Sequence, residues 1–160
     1  TGPYTLSYNV LGDILVIVFF GFVPVGGTYY VQTLTWTPDV TVASLVCGLL
    51  IDTLLVVNNY RDREADARSG KRTVIVRFGE KFGRYFYLTL GIAASLLCLF
   101  FLFEGHIYAA LLPQLYLIPH FLTWRRMVNI YSGKKLNSIL GETSRNMLLM
   151  GILLSIGMVL

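Results

Sequence analysis

Five long apolar runs constrain this sequence more than any other feature. Each of the first four is close to the roughly 20 residues that a helix needs to cross the hydrocarbon core of a bilayer. The fifth is short, and we expect the polar residues 138–145 before it to extend the same helix. The runs cover residues 12–32, 39–59, 85–103, 107–124 and 146–160.

The composition is that of a membrane protein. Only 14% of the residues are charged and 55% are hydrophobic, whereas about a quarter of the residues in a soluble domain are charged. The sequence therefore predicts an all-α, multi-span transmembrane bundle with about five spans, embedded in the lipid bilayer, in which residues 1–160 form a single membrane domain. Residues 1–11 are expected to form a loop or a short interfacial segment.

The basic residues are confined to two polar loops. Eight of the 13 Lys and Arg residues lie in 61–84 and five lie in 125–145, while the turns at 33–38 and 104–106 contain none. With five spans, these two loops fall on the same side of the membrane. Because positively charged loops are retained in the cytoplasm, both are predicted to be cytoplasmic. The basic residues flank the spans and form no extended polar face, so no nucleic-acid partner is expected.

A cluster of polar side chains begins where the second apolar run ends. Asn58, Asp62 and Asp66 are four residues apart, so a helix places them on one face that is about 12 Å long, at ~1.5 Å per residue. Asn59 borders that face, and the helix is expected to continue to about Ala67 and to end near residue 70. Two carboxylates at this spacing repel each other, and a cation would remove that cost. Oxygen ligands without His or Cys favour Mg²⁺, which binds carboxylates together with water and phosphate oxygens.

Basic residues beside this cluster indicate that a phosphate group is part of the site, because guanidinium and ammonium groups are its usual protein partners. These residues are Arg61, Arg63, Arg68, Lys71 and Arg72. The alternative is that the charges only solvate a cytoplasmic loop. Spacing alone leaves both interpretations open.

Asp52 and His120 are ionisable residues that lie well inside apolar runs. Asp52 is seven residues before Asn59, roughly below the polar face, and an intramembrane carboxylate is a candidate functional group. We interpret Asp52 as substrate-binding; the alternative is a protonated or hydrogen-bonded residue that faces a neighbouring helix. His120 is expected to be a packed or hydrogen-bonded core residue.

The residue types suggest a lipid diphosphate as the substrate. A Mg²⁺–diphosphate head group fits the polar face, and a long hydrocarbon tail fits the apolar bundle below it. Mg²⁺ would make the diphosphate a better leaving group, and the basic residues would stabilise the charge that develops on its oxygens. These residue types do not separate a transferase from a phosphatase or a transporter.

The stretch N-N-Y-R-D-R-E-A-D-A-R-S-G-K-R-T at 58–73, followed by V-R-F-G at 76–79, resembles the second aspartate-rich motif of the UbiA superfamily of membrane prenyltransferases. The paired Asn before R-D, the D-x-x-x-D and the G-K-R-T continuation are most similar to the branch that prenylates 1,4-dihydroxy-2-naphthoate in menaquinone biosynthesis. L-G-D at 11–13 and G-T-Y-Y-V-Q at 27–32 are also similar to this branch.

This resemblance implies a nine-helix bundle in the bacterial plasma (inner) membrane, with a cavity open near the cytoplasm and two Mg²⁺-binding motifs. The enzyme would transfer a polyprenyl group from polyprenyl diphosphate to dihydroxynaphthoate and give demethylmenaquinone. Asp62 and Asp66 would be the catalytic Mg²⁺ ligands, supported by Asn58 and Asn59. Basic residues would bind the diphosphate oxygens, namely Arg61, Lys71 and Arg72.

One departure from the family pattern concerns the first motif, N-D-x-x-D-x-x-x-D, which does not occur in these 160 residues. The five runs correspond to the last five of nine helices. The chain is therefore expected to be the C-terminal portion of a larger prenyltransferase domain, inactive alone unless a partner supplies the missing N-terminal helices. Two other functions stay open: a prenyltransferase with another aromatic acceptor, and a transporter fragment. The transporter is disfavoured because the runs hold few ionisable residues besides Asp52.

Overall fold

The computed structural model describes residues 11–160 as a bundle of helices, and it contains no strand in that range. The loop or interfacial segment predicted at the amino terminus falls on residues 1–10, outside the described part of the chain. The helices are α1 (Leu11–Thr33), α2 (Pro38–Arg68), α3 (Val74–Phe78), α4 (Glu80–Leu102), α5 (107–130) and α6 (Lys134–Val159).

Among the described residues, four helices are long and apolar enough to cross a membrane, namely α1, α2, α4 and α6. They correspond to the first, second, third and fifth predicted spans, and α6 includes residues 138–145 as expected. The fourth predicted span is helical as α5 but is not one of the four. Its α-helical parts, Ile107–Leu111 and Leu117–Ile130, are separated by 3₁₀ turns that contain Pro113, and a proline cannot donate a backbone hydrogen bond.

Helix α2 extends well beyond the second predicted span and includes the polar cluster. It begins after Thr37, whose side-chain hydroxyl accepts a hydrogen bond from the amide of Val40 at 3.4 Å. It then runs for 31 residues and ends at Arg68, followed by Gly70 at a φ of +76°. The predicted continuation of the helix to about residue 67 and its end near residue 70 agree with this boundary.

Helix α1 crosses α2 in direct backbone contact. Ile17–Gly26 forms the wider turns of a π-helix around Pro24, which lacks the amide hydrogen that an α-helical turn needs. A Cβ atom placed on Gly21 would lie 2.4 Å from the carbonyl oxygen of Ser44 and 2.9 Å from the Cα of Gly48. Small residues at such a crossing let two membrane helices approach closely, and this approach places the start of α1 beside the polar end of α2.

The two basic segments meet at one end of the bundle. The guanidinium carbon of Arg63 lies 5.0 Å from the centre of the Tyr131 ring, and that of Arg84 lies 5.2 Å from it. Arg61 also reaches the start of α6, where its Nη1 donates a hydrogen bond to Oδ1 of Asn137 at 3.0 Å. The end of α2, the start of α4 and the start of α6 are therefore neighbours.

His120 is a packed core residue, as predicted. Its ring stacks between Tyr87 and Tyr116, with centroid distances of 4.7 and 5.0 Å. Its Nδ1 lies 2.9 Å from the Tyr116 hydroxyl and its Nε2 lies 3.2 Å from the carbonyl oxygen of Leu88. A Cβ on Gly91 would lie 2.2 Å from the ring, so that glycine makes room for the imidazole.

Candidate active site

The polar cluster of α2 lines a cavity of about 340 Å³ between α1, α2 and the segment that follows α2. We call it the polar cavity. Five residues predicted from the sequence share this lining: Asn58, Asn59, Asp62, Asp66 and Lys71. The rest of the lining consists of Gly12, Asp13, Leu15, Val16, Leu55 and Thr73. Three other predicted site residues, Arg61, Arg72 and Asp52, do not belong to it.

Arg61 lies beside the polar cavity and joins the polar groups of α2. Its Nε and Nη2 donate to the two carboxylate oxygens of Asp62 at 2.7 and 2.6 Å. Nη2 also donates to Oδ1 of Asn58 at 2.8 Å. This forked arrangement is the geometry in which a guanidinium group binds a carboxylate most strongly.

Lys71 provides the second cation of the site. After α2 ends, the amide of Lys71 donates to the carbonyl oxygen of Asp66 at 3.0 Å, which turns the chain back towards the helix. The Lys71 Nζ lies 2.9 Å from Oδ1 of Asp66, whose side chain is only 8% exposed. The ammonium charge also acts on Asp62. Each of the two carboxylates of the D-x-x-x-D therefore has a cationic partner.

Two other basic residues of the first loop, Arg63 and Arg68, make contacts outside the polar cavity. Arg63 donates to the carbonyl oxygen of Tyr60 at 2.6 Å and stacks on the Tyr60 and Tyr131 rings. Arg68 donates to the carbonyl oxygen of Glu64. Hydrogen bonding to Glu80 raises the pKa of the Tyr131 phenol. Arg63 therefore joins the two basic loops to each other and does not face the cavity.

Asp13 is a cavity residue that the sequence analysis did not select. It lies in the first turn of α1, is 8% exposed, and interacts electrostatically with Asp52 across the α1–α2 contact. Asp52 is fully buried, and neither of its carboxylate oxygens has a hydrogen-bond partner among the described residues. The rule that marks intramembrane carboxylates applies to both residues, but only the helix packing shows that they face each other.

A larger apolar cavity continues along the same face of α2. It has a volume of about 730 Å³ and lies between α1, α2 and α6. Ile51 lines this apolar cavity, and Leu55, one turn further along α2, lines the polar cavity. A polar chamber thus lies next to an apolar one on one helix face, with the carboxylates at the basic end of the bundle.

The carboxylate and amide oxygens of the polar cavity suit a hard divalent cation whose remaining ligands are supplied by other oxygen atoms. No group of three His, Cys, Asp or Glu side chains between residues 11 and 160 is arranged to hold a metal ion. Asp62 and Asp66 nevertheless share one cavity with the side chains of Asn58 and Asn59, and Mg²⁺ commonly uses one or two carboxylates with substrate phosphates and water. The residues fit such an ion if phosphate oxygens complete its ligands.

Comparison with known proteins gives a consistent assignment. The sequence model of the UbiA prenyltransferase family matches residues 2–155. The chain is 36% identical over 161 aligned positions to the 1,4-dihydroxy-2-naphthoate octaprenyltransferase of Haemophilus influenzae. This alignment covers 99% of this chain and 51% of that protein. It is 42% identical to the Escherichia coli protein of the same name over 65% of this chain and 33% of that protein.

More distant relatives also align along the whole chain. The human UbiA prenyltransferase domain-containing protein 1 is 26% identical over 100% of this chain and 46% of its own length. The chain thus spans about half the length of the curated relatives that it matches end to end. No solved structure matches it. Because the family model covers nearly the whole sequence, this multi-pass membrane chain belongs to the UbiA prenyltransferase family.

Proposed function

We propose that this chain forms part of an enzyme that transfers a polyprenyl group from polyprenyl diphosphate to 1,4-dihydroxy-2-naphthoate. The observation that carries the proposal is the polar cavity, where Asp62, Asp66 and Lys71 lie together with the two asparagines of the motif. The names of the bacterial relatives support the choice of acceptor. In the reaction, the carbon–oxygen bond to the diphosphate breaks, a carbon–carbon bond to the ring forms, and the ring carboxylate leaves as CO₂.

The diphosphate would bind in the polar cavity. Asp62 and Asp66 would hold Mg²⁺, which when bound to the diphosphate neutralises charge on the leaving group. Asn58 and Asn59 would orient the carboxylates and the phosphate oxygens. The prenyl tail would extend from there along α2 into the apolar cavity of about 730 Å³.

The ion pairs of the site explain how the substrate and the metal would bind together. In the structure, Arg61 holds Asp62 and Lys71 holds Asp66. A diphosphate would offer these two cations new anionic oxygens, so the carboxylates would be released to bind Mg²⁺. Arg72, which follows Lys71 directly, would be a further ligand for the diphosphate. This exchange predicts that the metal and the diphosphate bind more tightly together than either does alone.

The acceptor would approach from the side of α1. Asp13 lines the polar cavity and faces the buried Asp52. We place the hydroxyl groups of the acceptor near Asp13, with Asp52 as a positioning residue that acts through it. Asp52 lies outside the linings of both the polar and the apolar cavity among the described residues, so direct contact between Asp52 and the acceptor is not part of this proposal.

Replacement of Asp52 by Asn tests that role. Asn keeps the size of the side chain and replaces the carboxyl group by an amide, so the position of Asp13 should change while the diphosphate ligands stay in place. We expect the KM for the acceptor to rise on the order of tenfold, the typical effect of losing one hydrogen-bonded contact, with the KM for polyprenyl diphosphate unchanged. Asp39→Asn, at the opposite end of α2, is the control. An unaltered acceptor KM and rate in Asp52→Asn would assign Asp52 to packing alone.

We also propose how the bundle is oriented in the membrane and where its remaining helices come from. The basic end would face the cytoplasm of a bacterial cell, since both basic segments meet there and such segments are retained on that side. Helices encoded before Thr1 would supply the N-D-x-x-D-x-x-x-D motif opposite Asp62 and Asp66. Sequencing the coding region upstream of Thr1 tests this arrangement directly.

Enzyme assays on the product of the whole gene, including any residues encoded before Thr1, test the proposed reaction. The purified protein is supplied with Mg²⁺, a polyprenyl diphosphate and one of three acceptors: dihydroxynaphthoate, hydroxybenzoate or homogentisate. We expect prenylation of dihydroxynaphthoate, and its loss when the metal is chelated. Preference for another acceptor would support a prenyltransferase that acts on a different substrate. Absence of diphosphate release with every acceptor would contradict the proposal.

A further inference from the structure

A second charged cavity lies between α5 and α6, away from the polar cavity. Its volume is about 480 Å³. We call it the arginine cavity, and it is lined by Pro119, Leu122, Thr123, Arg125, Arg126, Asn129, Glu142, Arg145 and Asn146. Within the described part of the chain, none of these residues lines the polar cavity. The proposed prenyl transfer does not use it.

The arginine cavity has an unbalanced positive charge. Arg126 forms an ion pair with the buried carboxylate of Glu142, with 2.5 Å between Nη1 and Oε1. Arg125 and Arg145 have no ion pair or hydrogen bond with any of the described side chains. Three guanidinium groups therefore face one carboxylate, and two of them are available for an anionic ligand.

Packing between the two helices fixes the floor of the arginine cavity. The side-chain amide of Asn146 donates to the hydroxyl of Thr123 at 2.9 Å, and both residues are buried. This bond joins α5 to α6 within the lining of the arginine cavity. The cavity is therefore a recess between two connected helices rather than a gap between mobile side chains.

Apolar surface extends from the arginine cavity towards the middle of the bundle. Leu122 is 54% exposed at its edge, and Ile118, one turn earlier on α5, is 64% exposed. On α6, Leu149 is also exposed one turn beyond Arg145. A ligand that fits here has an anionic group for the arginines and a hydrocarbon part for the exposed apolar residues.

We propose that the arginine cavity binds the phosphate group of an anionic phospholipid, with its acyl chains along the exposed apolar face of α5 and α6. A single guanidinium group can bind phosphate oxygens with two parallel hydrogen bonds, and basic recesses between helices at a membrane surface are suited to lipid head groups. The cavity lies at the same end of the bundle as both basic loops. The ligand would thus come from the leaflet at that end.

Thermal unfolding of the purified whole-gene product in detergent tests this site. The probes are phosphatidylglycerol, phosphatidylcholine and inorganic phosphate, each titrated separately, because a ligand that binds the folded state raises the Tm. We expect phosphatidylglycerol to raise the Tm and the other two probes to have little effect. An equal shift with inorganic phosphate would identify a free-anion site, and an equal shift with phosphatidylcholine would identify binding by apolar contact alone; either result overturns the proposal.

Matched variants separate the cavity from general surface charge. Arg125→Gln/Arg145→Gln removes the two unpaired guanidinium groups, and Lys134→Gln/Lys135→Gln removes the same charge at the start of α6, outside the cavity. We expect the apparent Kd for phosphatidylglycerol to rise roughly tenfold or more in the arginine variant only. Equal losses in both variants would show that only net charge matters. If the double arginine variant does not fold, Arg145→Gln alone is used with the same criterion.

Discussion

Replacement of Asp62 or Asp66 by alanine is expected to reduce prenyl transfer by the whole-gene product by a factor on the order of 10²–10³ or more, as found when a main electrostatic contact to a leaving group is lost. Both carboxylates line the polar cavity, and each is held by a cation that a diphosphate would engage in its place. Losing either would remove a proposed metal ligand together with the ion pair that it forms with Arg61 or Lys71.

The same helix provides a matched control for these two variants. Glu64 lies between Asp62 and Asp66, but its side chain is exposed and does not line the polar cavity. Glu64→Gln should therefore keep full activity. The measurement is initial rate at saturating polyprenyl diphosphate over a range of Mg²⁺ concentrations, with thermal unfolding to show that each variant is folded. A folded Asp62→Ala or Asp66→Ala protein with the original rate would contradict the metal assignment.

The two aspartates should also differ in how their loss affects stability. The Asp66 side chain is 8% exposed and that of Asp62 is 38% exposed. Truncating a buried side chain leaves a cavity in the packing, whereas truncating an exposed one usually costs little. Asp66→Ala should therefore lower the Tm more than Asp62→Ala does, although both are expected to reduce prenyl transfer strongly.

Local periodicity explains why much of the site is readable in the sequence. Asn58, Asp62 and Asp66 follow the period of one helix, so their common face depends only on that helix forming. The end of α2 near Gly70 depends on a residue that adopts a positive φ without strain. The common face and the end of the helix are both short-range properties, and the structure agrees with each of them.

Contacts between distant segments account for what the sequence does not reveal. Asp13 faces Asp52 only because α1 and α2 cross closely, and that contact joins residues 39 positions apart. Arg63 is as close to the motif in sequence as Arg61 is, yet it packs on Tyr60 and Tyr131. The fourth predicted span contains 3₁₀ turns because Pro113 interrupts the backbone ladder, an effect that mean hydropathy does not capture.

The α1–α2 crossing leads to the second large prediction. Gly21→Ala and Gly48→Ala should each destabilise the protein by about 1–3 kcal/mol, the usual cost of overpacking a tight interface. A Cβ at Gly21 would lie 2.4 Å from the carbonyl oxygen of Ser44, and one at Gly48 would lie 2.9 Å from the Cα and carbonyl oxygen of Ile17. These neighbours are backbone atoms, so no change of side-chain rotamer relieves the clash.

The consequence for activity follows from the position of Asp13. Since α1 must move away from α2 to admit either methyl group, Gly12 and Asp13 would withdraw from the carboxylates of the polar cavity. Prenyl transfer should fall together with the Tm, and the KM for the acceptor should rise before that for the diphosphate, because the proposed diphosphate ligands all lie on α2 and the segment after it. Gly27→Ala is the control on the same helix, since a Cβ there has no neighbour within 4 Å and alanine favours a helix over glycine. If Gly21→Ala and Gly27→Ala had the same Tm and the same kinetics, the close crossing would not be what positions α1 at the site.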